Sequence, residues 1–412
     1  MEARQQAKLN QVVCTLEGMA TLLQRTPGDF AVVIHGDPDC ANVLMHGMDH
    51  PGAHRFFCTH LTPDEAVAGR TLPVLRDCLD ALCEELAPEV VFVLGTCLST
   101  LVGDDVDPVI RAASARHGVR VVDLAGAGMR FVSQAAVVDR FARLMAGAAP
   151  AAVPAPRSVN LVGFDPGREV RQQLAELGVV INAVLDPGVP VTEWQRLCAA
   201  RWNLVLDRVL FAGFLSDCSD RGIEPLEVAY PVGAGSTDAF FDRVLAAVCP
   251  GVDSDAVLAG PREAAHREVA TGLESTRGVR LGYNLGSKKD LSPRTLAREG
   301  LAEVSVFEEL GFEVLLLVQG DDRPARVAAV RETLTALGCE APLAVFSDTV
   351  FYADLCGDQR VEVTYASDHL RDLVAGAGVG LVEQGVLRPG YGGVAGNVRR
   401  ILAAMKPRGG RP

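Results

Sequence analysis

The stretch Phe30-Ala-Val-Val-Ile-His35-Gly-Asp-Pro-Asp-Cys40 joins an apolar run of strand length to a polar turn that ends in a cysteine. Two more apolar runs, Val90-Val-Phe-Val-Leu94 and Val119-Arg-Val-Val-Asp123, follow it, and helical patterns separate the runs. Continuous apolar strands are buried on both faces, which is typical of a parallel sheet covered by helices. The first part of the chain is therefore predicted to be a doubly wound α/β domain.

The same alternation of strands and helices returns twice further along the chain. New series begin at Val159 and at Val279, and the three prolines among small residues in 146–158 are typical of a linker. The charged, helical segment 250–278 is expected to join the second and third series. We predict an α/β chain of three Rossmann-like, doubly wound parallel-sheet domains, covering residues 1–150, 157–275 and 276–412.

Composition and net charge indicate which kinds of partner the chain is expected to bind. The 412 residues are 49% hydrophobic and only 5% aromatic, and the net charge is −13. A surface that neutralises phosphates needs clustered Lys and Arg, so nucleic acid is not an expected partner. The polar N-terminus and the lack of an apolar run of membrane-spanning length predict a cytoplasmic chain with no membrane partner.

Three of the eleven cysteines occupy positions where ligands are common. Cys40 and Cys97 each follow a predicted strand, at the carboxyl edge where open α/β sheets bind ligands. Cys14 precedes Cys40 by 26 residues, in a predicted helical stretch, Leu9–Leu23, that must pack on the same sheet. Three thiolates and one further ligand suffice for an iron–sulfur cluster. Spacing alone does not exclude a purely structural role for these cysteines, because free cysteines usually behave as small core residues.

The phrases around these cysteines carry a family resemblance. His35-Gly-Asp-Pro-Asp-Cys40 resembles the His-Gly-Pro-x-Gly-Cys element of the nitrogenase component-one superfamily. Cys97-Leu-Ser-Thr-Leu-Val-Gly-Asp-Asp105 is similar to its Cys-x-x-x-(Ile/Val)-Gly-Asp-Asp element, and the offset between Cys14 and Cys40 also fits. The resemblance implies that Cys14, Cys40 and Cys97 are metal ligands for a [4Fe-4S] or larger P-type cluster at a subunit interface.

The same resemblance implies an activity and partners. The expected function is an oxidoreductase: a subunit of a nitrogenase-like two-component reductase that relays electrons through the cluster to a small-molecule substrate. A tetrapyrrole double bond and a thioether are plausible targets, and the substrate pocket is expected between the three domains. The implied partners are a homologous second subunit, or a second copy of the chain, and an ATP-hydrolysing iron protein. No Gly-x-x-x-x-Gly-Lys-(Ser/Thr) motif occurs, so ATP would act only through that partner.

Departures from the family pattern leave alternatives open. The region Trp202–Val209 lacks the cysteine that holds the catalytic cofactor in true nitrogenases, so dinitrogen reduction is not expected. One alternative is a scaffold subunit on which a nitrogenase-type metal cofactor is assembled. Another is a cluster-free binding protein whose cysteines belong to the core.

Other candidate residues have simpler interpretations. Cys58 is predicted to be a core thiol rather than a fourth ligand, and Asp104 and Asp105 are predicted to cap a helix. The glycine-rich segments Val232–Thr237 and Gly390–Gly396 are weak nucleotide motifs. The first of them could still cradle an anion at a helix N-terminus.

Overall fold

The computed structural model describes residues 12–46, 53–124, 131–147, 152–186, 188–194, 196–285, 292–320, 323–347 and 351–405. Within these ranges, the strands form three parallel sheets and one two-stranded antiparallel ribbon. Helices separate most successive strands, as a parallel sheet requires. The prediction of an α/β chain with several parallel sheets is confirmed.

The first sheet has the strand order β3-β2-β4-β5, and β1 pairs with β6 in the ribbon. Every residue of β2 is buried, because helices cover both faces of the sheet. The strands are β1 (Val12–Cys14), β2 (Phe30–His35), β3 (Phe56–Cys58), β4 (Val90–Gly95), β5 (Arg120–Asp123) and β6 (Phe131–Ser133). The helices are α1 (Thr15–Arg25), α2 (Pro38–His46), α3 (Pro63–Val67), α4 (Thr71–Leu86), α5 (Cys97–Val102), α6 (Asp107–His117) and α7 (Gln134–Gly147).

The second sheet has the order β10-β9-β7-β8, with its first strand in the interior. Its strands are β7 (Ala155–Val162), β8 (Val180–Leu185), β9 (Ala200–Val205) and β10 (Glu224–Glu227). The helices of this stretch are α8 (Gly167–Glu176), α9 (Val191–Trp194), α10 (Ala212–Ser219), α11 (Ala234–Val248) and the long α12 (Asp255–Thr276). Helix α12 confirms the predicted charged helix before the third series.

The third sheet has the order β13-β12-β11-β14-β15. Its strands are β11 (Arg280–Asn284), β12 (Glu313–Gln319), β13 (Leu343–Phe346), β14 (Val363–Ala366) and β15 (Gly380–Glu383). Its helices are α13 (Pro293–Leu296), α14 (Val304–Glu309), α15 (Pro324–Ala336), α16 (Tyr352–Asp358), α17 (Arg371–Gly376) and α18 (Tyr391–Met405). The chain order reverses beside β11, where β12 lies on one side and β14 on the other.

The described residues cluster into two compact units. The N-terminal unit takes those of Val12–Pro150 and Pro187–Gln195, and the C-terminal unit takes those of Ala151–Asp186 and Arg196–Pro412. The C-terminal unit thus contains both the second and the third sheet. The division into three domains stays a prediction.

Helix α4 shows how one face of the first sheet is covered. Leu75, Leu79 and Leu82 recur along one side of this helix and pack in a single apolar cluster with Val91 and Val93 of β4. Full burial of one such side chain stabilises the fold by about 1.5–3 kcal/mol. This core holds β4 in place, and Cys97 begins the helix that follows β4.

The segment that contains Trp194 departs from the predicted domain ranges. Residues 188–194 belong to the N-terminal unit, although the sequence places them between strands of the second sheet. Trp194 is 1% exposed and meets the ring of Phe141 in α7 edge to face, with 5.1 Å between ring centroids. Burial of this large aromatic side chain stabilises the segment within the N-terminal unit, although β8 and β9 are its neighbours in sequence.

The predicted linker ends earlier than expected. Strand β7 begins at Ala155, which pairs with Ala200, so the last four residues of the proposed 146–158 linker belong to a strand. Its first three residues are exposed and the register shifts before Val159. Pro156 therefore lies where the register shifts, between the paired Ala155 and Val159, and does not interrupt the ladder.

No helix in the described part of the chain combines the length and the apolar character that crossing a membrane requires.

Candidate metal centre

Cys14 lies where the ribbon meets the first helix. It pairs with Phe131 at the end of β1 and is the residue before α1, with extended backbone angles (φ −58°, ψ 130°). The sequence predicted a helix through this position, but the helix begins one residue later, at Thr15. The antiparallel pairing holds the backbone of Cys14, and its side chain is half-buried.

Cys40 lies in the first turn of α2, just after β2. The carboxylate of Asp37 accepts a hydrogen bond from the backbone N–H of Cys40 at 3.0 Å. This is the capping arrangement that an aspartate three residues before the donor favours. The side chain of Cys40 is half-buried, so this turn fixes a thiol that remains partly accessible.

Cys97 is the first residue of α5, directly after β4. The loops that carry Cys40 and Cys97 lie side by side, since the Thr96 N–H donates to the His35 carbonyl at 3.0 Å. A Cβ on Gly36 would lie 1.7 Å from Oγ1 of Thr96. Glycine is required here for the close approach, which brings the two cysteine-bearing turns together.

The pKa of Cys40 is affected by its surroundings and by the other two cysteines. Burial is the main cause that raises the pKa of Cys40 to about 11, followed by the carboxylate of Asp37 and then by negative charge on Cys97 and Cys14. Charges act on one another in this way only over short distances. The pKa of Cys40 thus responds to both other cysteines, and the assignment of Cys14, Cys40 and Cys97 to one site stays a prediction.

The chemistry of the thiols bears on the kind of site. Within the described ranges, no three His, Cys, Asp or Glu side chains are placed to hold one metal ion. Cysteine thiolates are the usual ligands of iron–sulfur clusters. Cys14, Cys40 and Cys97 are the residues that would hold such a cluster, and each is half-buried.

Cys58 belongs to the surroundings of Cys40. Its thiol lies 3.8 Å from the carbonyl of Gly36, and its sulfur accepts the backbone N–H of His60 at 3.3 Å. Burial raises the pKa of Cys58. The residue is half-buried rather than fully in the core, and it supports the turn that carries Cys40.

A buried histidine beside this edge was missed by sequence reasoning. His35 is fully buried, with Nε2 3.1 Å from Oδ2 of Asp104 and Nδ1 3.3 Å from Oγ1 of Thr59. The hydroxyl of Thr71 donates to the other oxygen of Asp104 at 2.5 Å. The available signal was a histidine at the end of a wholly apolar strand, where a buried polar group needs a partner.

The capping role predicted for Asp104 is therefore wrong. Helix α5 ends at Val102, and the left-handed backbone of Gly103 (φ 75°) after it turns the chain so that Asp104 reaches His35. Asp105 does accept the backbone N–H of Asp107 at the start of α6, at 3.3 Å. The two adjacent aspartates thus have different roles.

The His35 arrangement predicts a dependence of stability on pH. Burial lowers the pKa of His35 below its ordinary value of 6.5 and outweighs the opposing effect of Asp104. The unfolded chain therefore binds a proton more readily, and the free energy of unfolding falls as the pH drops below about 6.5 towards the folded pKa. We expect H35N to lose about 1–3 kcal/mol near pH 7.5 and to flatten this acid dependence, measured by calorimetry across pH.

The exposed His54 offers a matched control. H54N should keep both the stability and the acid dependence of the parent. If H35N retained the full acid dependence, the buried pair would not be its source.

The two glycine-rich segments bind carboxylates of the chain itself. At the start of α11, Ala234 and Gly235 donate their N–H groups to the two oxygens of Glu309 at 3.1 and 3.0 Å. At the start of α18, the Gly392 N–H contacts both oxygens of Glu169 at 3.0 and 3.1 Å. Both N-termini thus already hold an anion, which explains these motifs without a nucleotide.

Glu309 is expected to stabilise the C-terminal unit. E309A removes the acceptor for two N–H groups at the start of α11, so a loss of about 0.5–2 kcal/mol is expected in thermal unfolding. The adjacent, exposed Glu308 provides the control, and E308A should change the unfolding temperature little. Equal effects of the two substitutions would contradict this role.

Comparison with known proteins places this site in a family. Residues 14–385 match the model of the family described as nitrogenase component 1 type oxidoreductases. The solved structures described as nitrogenase Cp1 at pH 6.5 and at pH 5 share the fold. Their TM-scores are 0.69 and 0.68 at 13% and 15% identity, covering 96% and 97% of this chain and 92% and 90% of theirs.

Curated relatives include proteins with different roles. One subunit of the light-independent protochlorophyllide reductase of Bradyrhizobium sp. strain BTAi1 is 25% identical over 331 residues, 76% of this chain and 61% of the relative. The nitrogenase iron-molybdenum cofactor biosynthesis protein NifE of Clostridium pasteurianum is 28% identical over 145 residues, 33% of this chain and 31% of the relative. The chain spans less than two thirds of each of these relatives. The match over residues 14–385 nevertheless covers most of the sequence, and the chain belongs to the nitrogenase component 1 type oxidoreductase family.

Proposed function

We propose that this chain is a subunit of a nitrogenase-like two-component reductase, in which Cys14, Cys40 and Cys97 hold an iron–sulfur cluster. The observation that carries the proposal is the close approach of the turns of Cys40 and Cys97 at the edge of the first sheet, with Cys14 near enough to raise the pKa of Cys40. When bound, such a cluster would accept and donate single electrons. The relative named as a reductase subunit supports the redox role.

The residues around the site oppose loss of the thiol proton of Cys40. Burial and the Asp37 carboxylate keep Sγ of Cys40 protonated near neutral pH in the metal-free chain. Metal binding must therefore release this proton, and the affinity for iron should rise with pH. Asp37 also fixes the backbone of the same turn, which limits the directions in which the thiol can point.

Three thiols on one chain leave a cluster in need of a further ligand. We propose that a second subunit supplies it, either a homologue or another copy of this chain, which places the cluster at their interface. Electrons would come from an ATP-hydrolysing iron protein. The curated relatives support an assembly, because one is named as a subunit and another as an alpha chain.

The alternative role is a scaffold for metal-cofactor assembly, and the likeness to NifE proteins favours it as the second candidate. Both roles need the three cysteines, so cluster binding alone does not separate them. A reductase turns over a substrate, whereas a scaffold delivers its metal to another protein.

Steady-state turnover separates the two roles. The complete assembly is mixed with an iron protein, ATP and a substrate panel that includes a tetrapyrrole and a thioether. The reductase role predicts substrate-dependent product formation that C97S abolishes and C78S retains. Absence of turnover together with transfer of metal to an apo-enzyme would establish the scaffold instead.

A further inference from the structure

One buried residue connects the two turns that carry Cys40 and Cys97. His35 is the last residue of β2, so the Cys40 turn begins directly after it. The carbonyl of His35 accepts the N–H of Thr96, the residue before α5, at 3.0 Å. Its ring reaches the other end of the same helix, where Nε2 lies 3.1 Å from Oδ2 of Asp104. Both ends of the helix that begins with Cys97 are therefore attached to one residue.

Helix α5 has little apolar burial of its own. It is six residues long, and helices of fewer than about 12 residues are marginally stable without tertiary contacts. Ser99 is its only buried residue, and Leu101 and Val102 are 66% and 41% exposed. Apolar packing therefore contributes little to its position. The helix depends instead on the hydrogen bonds at its two ends.

The ring of His35 has a partner on each nitrogen. A carboxylate can only accept, so Nε2 donates its hydrogen to Asp104. In the neutral ring Nδ1 then accepts from the hydroxyl of Thr59 at 3.3 Å, and the oxygen of that hydroxyl accepts the N–H of Gly36 at 3.0 Å. The other oxygen of Asp104 accepts the hydroxyl of Thr71 at 2.5 Å. Rotation of the ring would break these contacts, so its orientation is fixed.

We propose that His35 is a positioning residue, which holds the Cys97 helix against the Cys40 turn through the side chain of Asp104. The inference rests on the proposed function, in which these two turns present ligands to one cluster. Without the link to Asp104, the C-terminal end of α5 would be free to move away from β2. The Cys97 thiol would move with it, because the helix begins at Cys97 and has less than two turns.

Two substitutions of His35 separate this link from other effects of the residue. The side-chain amide of asparagine lies near the position of Nδ1, whereas that of glutamine reaches the position of Nε2 and can still donate to Asp104. Amide hydrogen exchange of residues 96–104 is measured in the metal-free protein. H35N should speed this exchange roughly tenfold, which corresponds to a loss of about 1.4 kcal/mol of local stability, and H35Q should restore the rate of the parent.

Matched variants show whether the effect is local. D104A removes the same link from its other end and should speed exchange as H35N does. The adjacent Asp105 is exposed and takes no part in the link, so D105A should exchange as the parent does. W194F lowers the stability of the same unit by loosening another segment, and it should not speed exchange of residues 96–104. Unchanged exchange in folded H35N or D104A, or equal acceleration by H35N and either H35Q or W194F, would overturn the proposal.

Release of iron to a chelator from the anaerobically reconstituted protein tests the role toward the cluster. H35N and D104A should release iron roughly tenfold faster than the parent, because loss of a residue that supports a metal ligand lowers metal affinity by about 10–100-fold. D105A should release it at the rate of the parent, and an unchanged rate in H35N would contradict the positioning role. A parent that binds no iron would refute the proposed function instead, and the exchange rates would still decide whether His35 holds the two turns together.

Discussion

Serine in place of Cys40 is expected to lower the iron content of the anaerobically purified protein by roughly tenfold or more. Loss of a residue that supports a metal ligand already lowers metal affinity by about 10–100-fold, and loss of the ligand itself should lower it at least as much. C14S and C97S should do the same, because each removes one of three converging thiols. A hydroxyl is a poor substitute for a thiolate on iron. Iron and acid-labile sulfide per chain are the quantities to measure.

Cys78 provides the control for these substitutions. It is also half-buried in the N-terminal unit, but it lies in the middle of α4 and packs against the apolar cluster that covers the first sheet. C78S should keep the iron content of the parent. Retention of iron by all three of C14S, C40S and C97S would show that these residues are not ligands.

Replacement of Trp194 by alanine is expected to destabilise the N-terminal unit by about 3–5 kcal/mol, the usual cost of truncating a large buried aromatic. Trp194 is 1% exposed and packs edge to face on Phe141. Its loss would leave a cavity against α7 and release the segment 188–194 from the unit to which it belongs. Chemical unfolding followed by circular dichroism gives the change in stability.

Phenylalanine at the same position separates packing from polarity. The indole Nε1 of Trp194 is buried without a hydrogen bond to any described residue, so W194F loses volume but also removes an unpaired donor. We expect W194F to cost less than half as much as W194A. Similar losses for the two variants would contradict the packing argument.

The parallel sheets could be predicted because their strands are short, continuous apolar runs. Strand β2, Phe30–His35, occupies the apolar run before Cys40, and β4 begins at the predicted Val90. In a parallel sheet this local pattern is enough to locate a strand, since both of its faces are buried. The positions of Cys40 and Cys97 follow, because each comes directly after such a strand.

Contacts between distant residues could not be predicted in this way. His35 and Asp104 are 69 residues apart, and Gly235 and Glu309 are 74 apart. Local periodicity indicates which residues are buried but not which polar groups meet. For that reason Asp104 was expected to cap a helix, and the glycine-rich start of α11 was considered for an external anion.

The Trp194 segment illustrates a second limit. Its sequence neighbours lie in the second sheet, yet its own burial is within the N-terminal unit. Domain ranges drawn from the order of strands assume that each stretch packs with its neighbours. The segment around Trp194 does not follow that assumption, because its large aromatic side chain is buried in the other unit.

The central claim is that Cys14, Cys40 and Cys97 together hold an iron–sulfur cluster. The most direct measurement is of the iron content, the sulfide content and the visible absorption of the protein. The protein is purified without oxygen, together with any partner protein that copurifies, and is compared with the triple variant C14S/C40S/C97S. We expect the parent to contain iron and sulfide and to show the broad sulfur-to-iron absorption band, and the folded triple variant to lack all three. A parent protein without iron after anaerobic reconstitution, or a triple variant that keeps its iron, would contradict the account.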